Sequence, residues 1–372
     1  MATNNVLFRV DAGPEIGLGH LQRCLSLALA LQRRDTTCVF LRSADPTVQD
    51  QVAASGFHTE RLDGVEPGNS GDLKQTLAML ARYRCDAVVV DSYHVEADYL
   101  GRLRAAGLFV VAVDDLARYP FPCQLVVNGG AYAPQMPYRA LLGDTTFLLG
   151  AQYALLRPEF WNIPTRTVRD TVRTLLVTLG GADPHNLMPG FLGLLDGLPA
   201  DFTVTAIVGP FFENRAAVEH TARGCLRVVQ LVDGPESLRD LMLEADLAVS
   251  AGGQTLYELA ATGTPTVAVE VANNQAPNLK ALAADGVLRV AGCLGQAGLL
   301  DRLGETVQTL LDNQDARATM SGAGQRLVDG RGAVRVAEVM VKRKGALPGG
   351  ETPPLCQEWT HGSDKGAHTK RI

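Results

Sequence analysis

Short apolar runs alternate with segments whose apolar residues recur every three or four positions, and the alternation continues along most of the chain. Residues 6–10, 37–41, 87–91 and 108–114 are compact apolar runs and predict strands. Between them, residues 21–31 place apolar side chains at 21, 25, 27, 28 and 31, a helical rhythm, and residues 72–83 and 97–106 predict further helices. Strands that are apolar on both faces and alternate with helices indicate a parallel sheet covered on both sides.

The pattern breaks over residues 152–173, which carry Pro158, Pro164 and several arginines. It then resumes, with strands predicted at 174–178, 202–208, 247–250 and 266–271. Helices are predicted at 235–244, 255–261, 278–284, 297–311 and 333–341. The expectation is an α/β protein of two doubly wound, Rossmann-like domains, residues 1–155 and 173–343, joined by a linker at 156–172. Such sheets bind ligands at the carboxyl ends of their strands, so the cleft between the domains is the expected site. Residues 344–372 are rich in Gly, Pro, Thr and charge, offer little to a core, and predict a mobile tail.

Composition agrees with this division. A chain of 372 residues suits two domains at about 150 residues each, and 46% hydrophobic residues exclude a largely disordered chain. A formal net charge of −6 gives no footprint for nucleic acid or an anionic membrane. An anionic ligand must then be held by local devices such as helix N-termini. The seven cysteines are scattered with no C-x-x-C, so no zinc knuckle or thioredoxin-type site is signalled. The first residues lack a basic stretch before an apolar core, and no apolar run approaches the roughly 20 residues needed to cross a bilayer. The expectation is a cytoplasmic protein with reduced thiols and no membrane insertion.

Three strand ends carry glycine turns. The first strand leads through Asp11 to Gly13, Gly17 and Gly19, and a helix starts near His20. Free N–H groups and a close backbone approach suit an anion there, and a tight strand-to-helix turn accounts for the glycines equally. No third glycine completes a dinucleotide fingerprint, and no Gly-Lys-Ser/Thr completes a Walker A loop. At a helix N-terminus the macrodipole disfavours an imidazolium, so His20 reads as a neutral general base or as a loop cap. The second turn is Gly180-Gly181-Ala182-Asp183-Pro184, with Asp183 read as a helix cap and Pro184 at the first helical position. The third is Ser250-Ala251-Gly252-Gly253-Gln254-Thr255. Here Gly252, Gly253 and Thr255 suit a diphosphate, and Glu258, one turn on, suits a ribose diol or serves as a first-turn partner of the dipole. Asn274 and Gln275 follow the 266–271 strand and suit sugar hydroxyls or acetamido groups, or loop capping. Asp91-Ser92-Tyr93-His94 and Asp114-Asp115 close two strands at the cleft rim. Paired acids invite a metal, but no further ligand set accompanies them.

Taken in order, these residues resemble a known family. Arg9-x-Asp11 followed by Ile16-Gly17-x-Gly19-His20-x-x-Arg23-Cys24-x-x-Leu27-Ala28 resembles the opening of the UDP-sugar hydrolases of pseudaminic acid biosynthesis. Asp91-Ser92-Tyr93, Asp114-Asp115, Asn128 and Gly150-x-x-Tyr153-x-Leu155-Leu156-Arg157-x-Glu159-Phe160 are similar to its next landmarks. Thr178-x-Gly180-Gly181-x-Asp183-x-x-Asn186 and Ser250-x-Gly252-Gly253-x-Thr255-x-Tyr257-Glu258, through Pro265 to Asn274-Gln275, complete the series over residues 6–290.

The resemblance implies a glycosyltransferase B-type architecture used for hydrolysis. UDP-2,4-diacetamido-2,4,6-trideoxy-β-L-altropyranose and water would give UDP and the free sugar. It implies His20 as the base that activates water and Tyr93 as a residue that orients it. Asp11, Arg23 and Gly181 would be substrate contacts, and Gly17 and Gly19 would lie beside the diphosphate. Gly252, Gly253 and Thr255 would form the second-domain diphosphate site. Glu258 would be the ribose carboxylate found at this place in the related N-acetylglucosaminyltransferase of peptidoglycan synthesis. Asn274 and Gln275 would touch the sugar. It implies no metal and no cofactor, with a UDP-sugar and UDP as the partners and no nucleic acid. The chain is also similar to the putative glycosyltransferases of spore-coat polysaccharide synthesis, and these motifs do not separate water from a sugar acceptor. A non-catalytic nucleotide-sugar-binding protein is a third reading, disfavoured by the presence of His20.

Overall fold

The computed structural model describes residues 4–12, 19–42, 46–235 and 237–345. Strands β1 (Asn5–Val10), β2 (Thr37–Arg42), β3 (His58–Arg61), β4 (Ala87–Asp91), β5 (Phe109–Val113), β6 (Leu125–Asn128) and β7 (Thr146–Leu149) form one parallel sheet. Its order is β3-β2-β1-β4-β5-β6-β7. Helices α1 (Gly19–Gln32), α2 (Pro46–Ala54), α3 (Ser70–Arg82) and α4 (Ala97–Ala105) cover it. The strands are apolar on both faces because both faces are buried. In β1, Val6, Phe8 and Val10 join the core under α1, while Leu7 joins the core that holds Leu80 of α3 and Leu100 of α4.

A second parallel sheet repeats the plan. Strands β8 (Thr174–Thr178), β9 (Thr203–Val208), β10 (Val229–Asp233), β11 (Leu247–Ala251), β12 (Thr266–Glu270) and β13 (Arg289–Cys293) run in the order β10-β9-β8-β11-β12-β13. With it come α5 (Leu187–Asp196), α6 (Arg215–Gly224), α7 (Arg239–Glu244), α8 (Thr255–Thr262), α9 (Ala276–Ala284), α10 (Leu299–Leu311), α11 (Gln314–Leu327) and α12 (Gly332–Lys344). In each sheet the strand order reverses beside the first strand, between β1 and β4 and between β8 and β11. Crevices for ligands open at the carboxyl ends of the strands at such points.

The last helix departs from the expected division. Its periodicity placed it with the second domain, but Ala333, Val336, Ala337 and Met340 are buried in the same core as Leu21, Leu25, Ala28 and Leu31 of α1. Burying that apolar stripe requires a partner face, and the free one is on the first sheet. The chain therefore crosses between domains twice. The earlier crossing is firmly packed: Trp161 belongs to the first-domain core and the adjacent Phe160 to a second-domain core. Arg317, fully buried, ties the linker down by donating to the carbonyls of Arg169 and Asp170 and to those of Leu310 and Leu311.

The two crossings press on each other through glycines. Gly330 has φ +77°, and a Cβ there would overlap the Phe160 carbonyl; a Cβ on Gly332 would overlap backbone atoms of Ala154. Among the described residues no helix is long and apolar enough to cross a membrane, and Cys24, Cys38, Cys85, Cys123, Cys225 and Cys293 are free thiols. Cys356 and most of the expected tail lie outside the described residues. Because the neighbours of Gly332 are backbone and cannot swing aside, Gly332→Ala should cost about 1–3 kcal/mol of stability by overpacking. Urea unfolding would read this as a lower midpoint.

Candidate active site

Three consecutive buried valines of β4 carry Asp91 to the carboxyl end of the first sheet, at its reversal point. Asp91 is wholly buried. Its carboxylate accepts from Arg23 Nε at 2.6 Å and Nη2 at 2.6 Å, and lies 2.5 Å from His20 Nδ1. His20 and Arg23 stand three residues apart on α1 and so share a face. Burial opposes the charge on Asp91, but the Arg23 guanidinium and His20 outweigh it and hold the carboxyl well below the usual range. An ionised carboxylate only accepts hydrogen bonds, so Nδ1 of His20 carries the proton. In the neutral tautomer that carries this proton, Nε2 is an acceptor.

Tyr93 meets the His20 ring edge-on, with centroids 4.5 Å apart. Its hydroxyl donates to Asp115 Oδ2 at 2.9 Å, and Arg23 Nη1 reaches the same oxygen at 3.2 Å. Burial and the neighbouring Asp115 push the phenol up, so it stays a donor. Asp115 Oδ1 is buried without a hydrogen-bond partner, which leaves an acceptor open within the cluster. Asp91 and Asp115 are the side chains of this cluster that the sequence reading named at the cleft rim but left out of its site set. Their signal was present, as acids closing two strands, but the partners that give them a role come from α1.

Beside this cluster lies a cavity of about 930 Å³. Gly19, Gln22 and Gln51 line it from the first domain, Arg157 from the linker, and Gly180, Gly181, Phe211, Asn214, Gly253, Thr255 and Glu258 from the second. The buried Glu258 accepts from Arg157 Nη2 at 3.1 Å and Nε at 3.2 Å. Burial raises the carboxyl of Glu258, and Arg157 pulls it back in part. The domains also meet directly, since Tyr257 Oη accepts from the Ala131 amide at 2.8 Å.

Of the residues singled out by sequence, Gly19, Gly181, Gly253, Thr255 and Glu258 come together at the cavity. His20 and Tyr93 form the adjoining cluster rather than the cavity wall, His20 following Gly19 in the same helical turn. Gly17 lies outside the described residues. Asp11, expected among the substrate contacts, is buried instead and accepts from Arg9 Nη1 at 2.5 Å and from the Ser92 hydroxyl. Arg9 also grips Asp72 at 2.6 Å, so Asp11 belongs to an internal charge network. Arg23, likewise expected on substrate, commits its guanidinium to Asp91 and Asp115.

Gln275 braces rather than lines the cavity. Its Oε1 accepts from the amides of Gly252 at 3.1 Å and Val271 at 3.0 Å, and a Cβ on Gly252 would press on Gln275. Asn274 is exposed on the short turn Asn273–Gln275 and is not among the residues that line the cavity. Asp183 is the cap it was read to be, accepting from the amides of Leu187 and Met188 at 2.9 Å each. Pro184, however, precedes α5 by three residues, because Asn186 turns the chain through a left-handed φ of 53° before the helix begins. Among the described residues no group of three or more His, Cys, Asp or Glu gathers to suit a metal ion.

No protein-family profile matches the chain. It is 24% identical over 334 residues to the spore coat polysaccharide biosynthesis protein SpsG of Bacillus subtilis, covering 89% of this chain and 96% of that one. It is 24% identical over 184 residues to the UDP-2,4-diacetamido-2,4,6-trideoxy-beta-L-altropyranose hydrolase of Campylobacter jejuni, covering 49% of this chain and 62% of that one. The chain is related to both groups. It is also 24% identical over 274 residues to the uncharacterized protein MJ1062 of Methanocaldococcus jannaschii, covering 69% of this chain and 54% of that one. The match thus spans about half to two thirds of the archaeal and Campylobacter relatives, and nearly all of the Bacillus one. Among solved structures, MurG of Acinetobacter baumannii superposes with a TM-score of 0.68 at 16% identity, covering 91% of this chain and 99% of that one. The fold is the glycosyltransferase B-type arrangement of two Rossmann-like domains.

The buried acid makes a pH prediction. Asp91 is held below its unfolded value, so its contribution to stability is complete at neutral pH. It is lost as pH falls from the ordinary carboxylate value of about 4 through the folded one. Asp91→Asn, which leaves Arg23 buried against a neutral amide, should cost about 3–5 kcal/mol at pH 7. It should also flatten the acid side of the stability curve, read by urea unfolding at a series of pH values.

Proposed function

We propose that this chain hydrolyses a UDP-activated diacetamido-trideoxyhexose, UDP-2,4-diacetamido-2,4,6-trideoxy-β-L-altropyranose, to UDP and the free sugar. The observation that carries this reading is the Asp91–His20 pair at the reversal point of one sheet, next to a cavity walled by the glycine turns of the other. In this reading His20 Nε2 takes a proton from water, and Asp91 stabilises the imidazolium that forms. Tyr93 and the open oxygen of Asp115 orient the water or the sugar. The Gly180-Gly181 and Gly253 turns and the N-terminus of α8 take up the charge that grows on the departing diphosphate. Glu258, beside Arg157, accepts from the ribose hydroxyls. Attack from the domain opposite UDP inverts the anomeric centre.

A second reading, transfer to a sugar hydroxyl, draws support from the near full-length match to the spore-coat protein and from the MurG-like fold. The same base serves either acceptor. Release of UDP from the candidate UDP-sugar without any added acceptor favours the hydrolase; release only with an acceptor favours the transferase.

His20→Asn should lower turnover by roughly 10²–10⁴-fold, with UDP affinity by calorimetry nearly unchanged. Turnover close to the parent's would reduce His20 to a loop cap. In ¹⁸O-water the label should enter the anomeric hydroxyl and be absent from the UDP phosphates by mass spectrometry. Label in UDP, or UMP as the product, would place the attack on phosphorus instead.

A further inference from the structure

The geometry points to a second anion site, distant from the cleft, built from Arg33, Arg34 and Arg331 where the two inter-domain crossings meet. Helix α1 begins beside the cleft at Gly19 and runs 14 residues, about 20 Å, to the opposite end of its sheet. There a separate cavity of about 350 Å³ opens, lined by these arginines together with Trp161 and Asn162. Arg33 and Arg34 come from the end of α1, Trp161 and Asn162 from the first crossing, and Arg331 from the second, immediately before α12.

Three guanidinium groups gathered at one cavity repel one another, and the local acid supply does not cancel them. Arg34 pairs with Glu338 at 2.5 Å. Arg33 has no carboxylate partner among the described residues, and Arg331 lies within electrostatic reach of Asp329, whose carboxylate is itself paired with Arg335. Arg33 instead lies over the Trp161 ring at 4.4 Å. A guanidinium held over an aromatic face keeps N–H groups at its edge for paired hydrogen bonds to phosphate oxygens. The indole N–H is already spent on the Leu156 carbonyl at 2.7 Å, so the ring acts as a platform. The first amides of α12, unpaired within the helix, add positive potential beside Arg331.

This is a local concentration of positive charge in a chain whose net charge is −6. The volume lies at the lower end of small-molecule sites. It suits a phosphoryl or diphosphoryl group on a small molecule or on a lipid head. A ligand there would touch α1 and both crossings at once, joining the two paths by which the domains are connected.

The test uses the full chain with Trp359→Phe, which leaves Trp161 as its remaining tryptophan. Titration with inorganic pyrophosphate, with saturating UDP present, should give a saturable change in Trp161 emission that weakens with added salt. Arg331→Ser, which leaves the Arg33–Trp161 contact in place, should weaken binding about tenfold, and Arg33→Ser with Arg331→Ser should abolish it by calorimetry. A parallel arm measures co-sedimentation with phosphatidylcholine vesicles with and without phosphatidic acid. Arginine-dependent binding of pyrophosphate assigns a soluble ligand, and arginine-dependent binding to the phosphatidic acid vesicles alone assigns a lipid head. No binding in either arm, binding that survives the double substitution, or a pyrophosphate signal abolished by UDP would overturn the proposal.

Discussion

Asp91 keeps a negative charge where no water reaches it, and much of the first domain is arranged around that constraint. Its charge is tolerable because three side chains from α1 converge on it, Arg23 through two nitrogens, His20 through one and Cys24 through its thiol. The same arginine continues to Asp115 after β5, and Asp115 holds the Tyr93 hydroxyl. One buried carboxylate thus gathers side chains of α1 at the strand end and, through Arg23, joins them to Asp115 and the Tyr93 ring. Removing its partners would leave an unpaired charge in the interior, which costs far more than any single contact contributes.

The second domain contributes to the cavity in a different currency. Its face is made of backbone turns, with the close approach of strand ends kept open by glycines. A Cβ on Gly209 would collide with the carbonyls of Gly180 and Gly181, and Gly180 itself has φ +87°. Amide groups held this way present partial positive charge without a lysine or arginine at the turn. That fits a chain of negative net charge, in which a broad positive field is absent. Among the described residues that line the cavity Arg157 is the full cation, and it is matched by Glu258.

Apolar periodicity made β1, β2, β4, β5, β8, β9, β11 and β12 legible, because both faces of those strands are buried and their residues say so; of the helices it left out α2, α5, α6 and α11. It missed β3, β7, β10 and β13, which lie at sheet edges, and also β6, a buried interior strand of only four residues. β3 is the polar run His58-Thr59-Glu60-Arg61, and an edge strand needs no continuous apolar run. Periodicity also identified α12 as a helix without revealing its partner, since an apolar stripe is the same whichever sheet covers it. At the site, residue type was readable but allegiance was not. Asp11 and Gln275 have side chains that suit a ligand, yet nearby arginine and backbone amides claim them first. Asp91 showed the reverse, a strand-end acid whose role depended on a histidine 71 positions earlier.

The return of α12 to the first sheet also bears on how the protein is made. The core around α1 is closed by Ala333, Val336, Ala337 and Met340, which are translated more than 300 residues after it begins. Until they emerge from the ribosome, the first domain presents an uncovered apolar face while the second can already complete its own sheet. Synthesis runs from the N-terminus, but the final consolidation of the N-terminal domain must wait for the C-terminal helix. The nascent chain therefore spends most of its synthesis with that face available to chaperones, and the domain bearing His20 is the last to close.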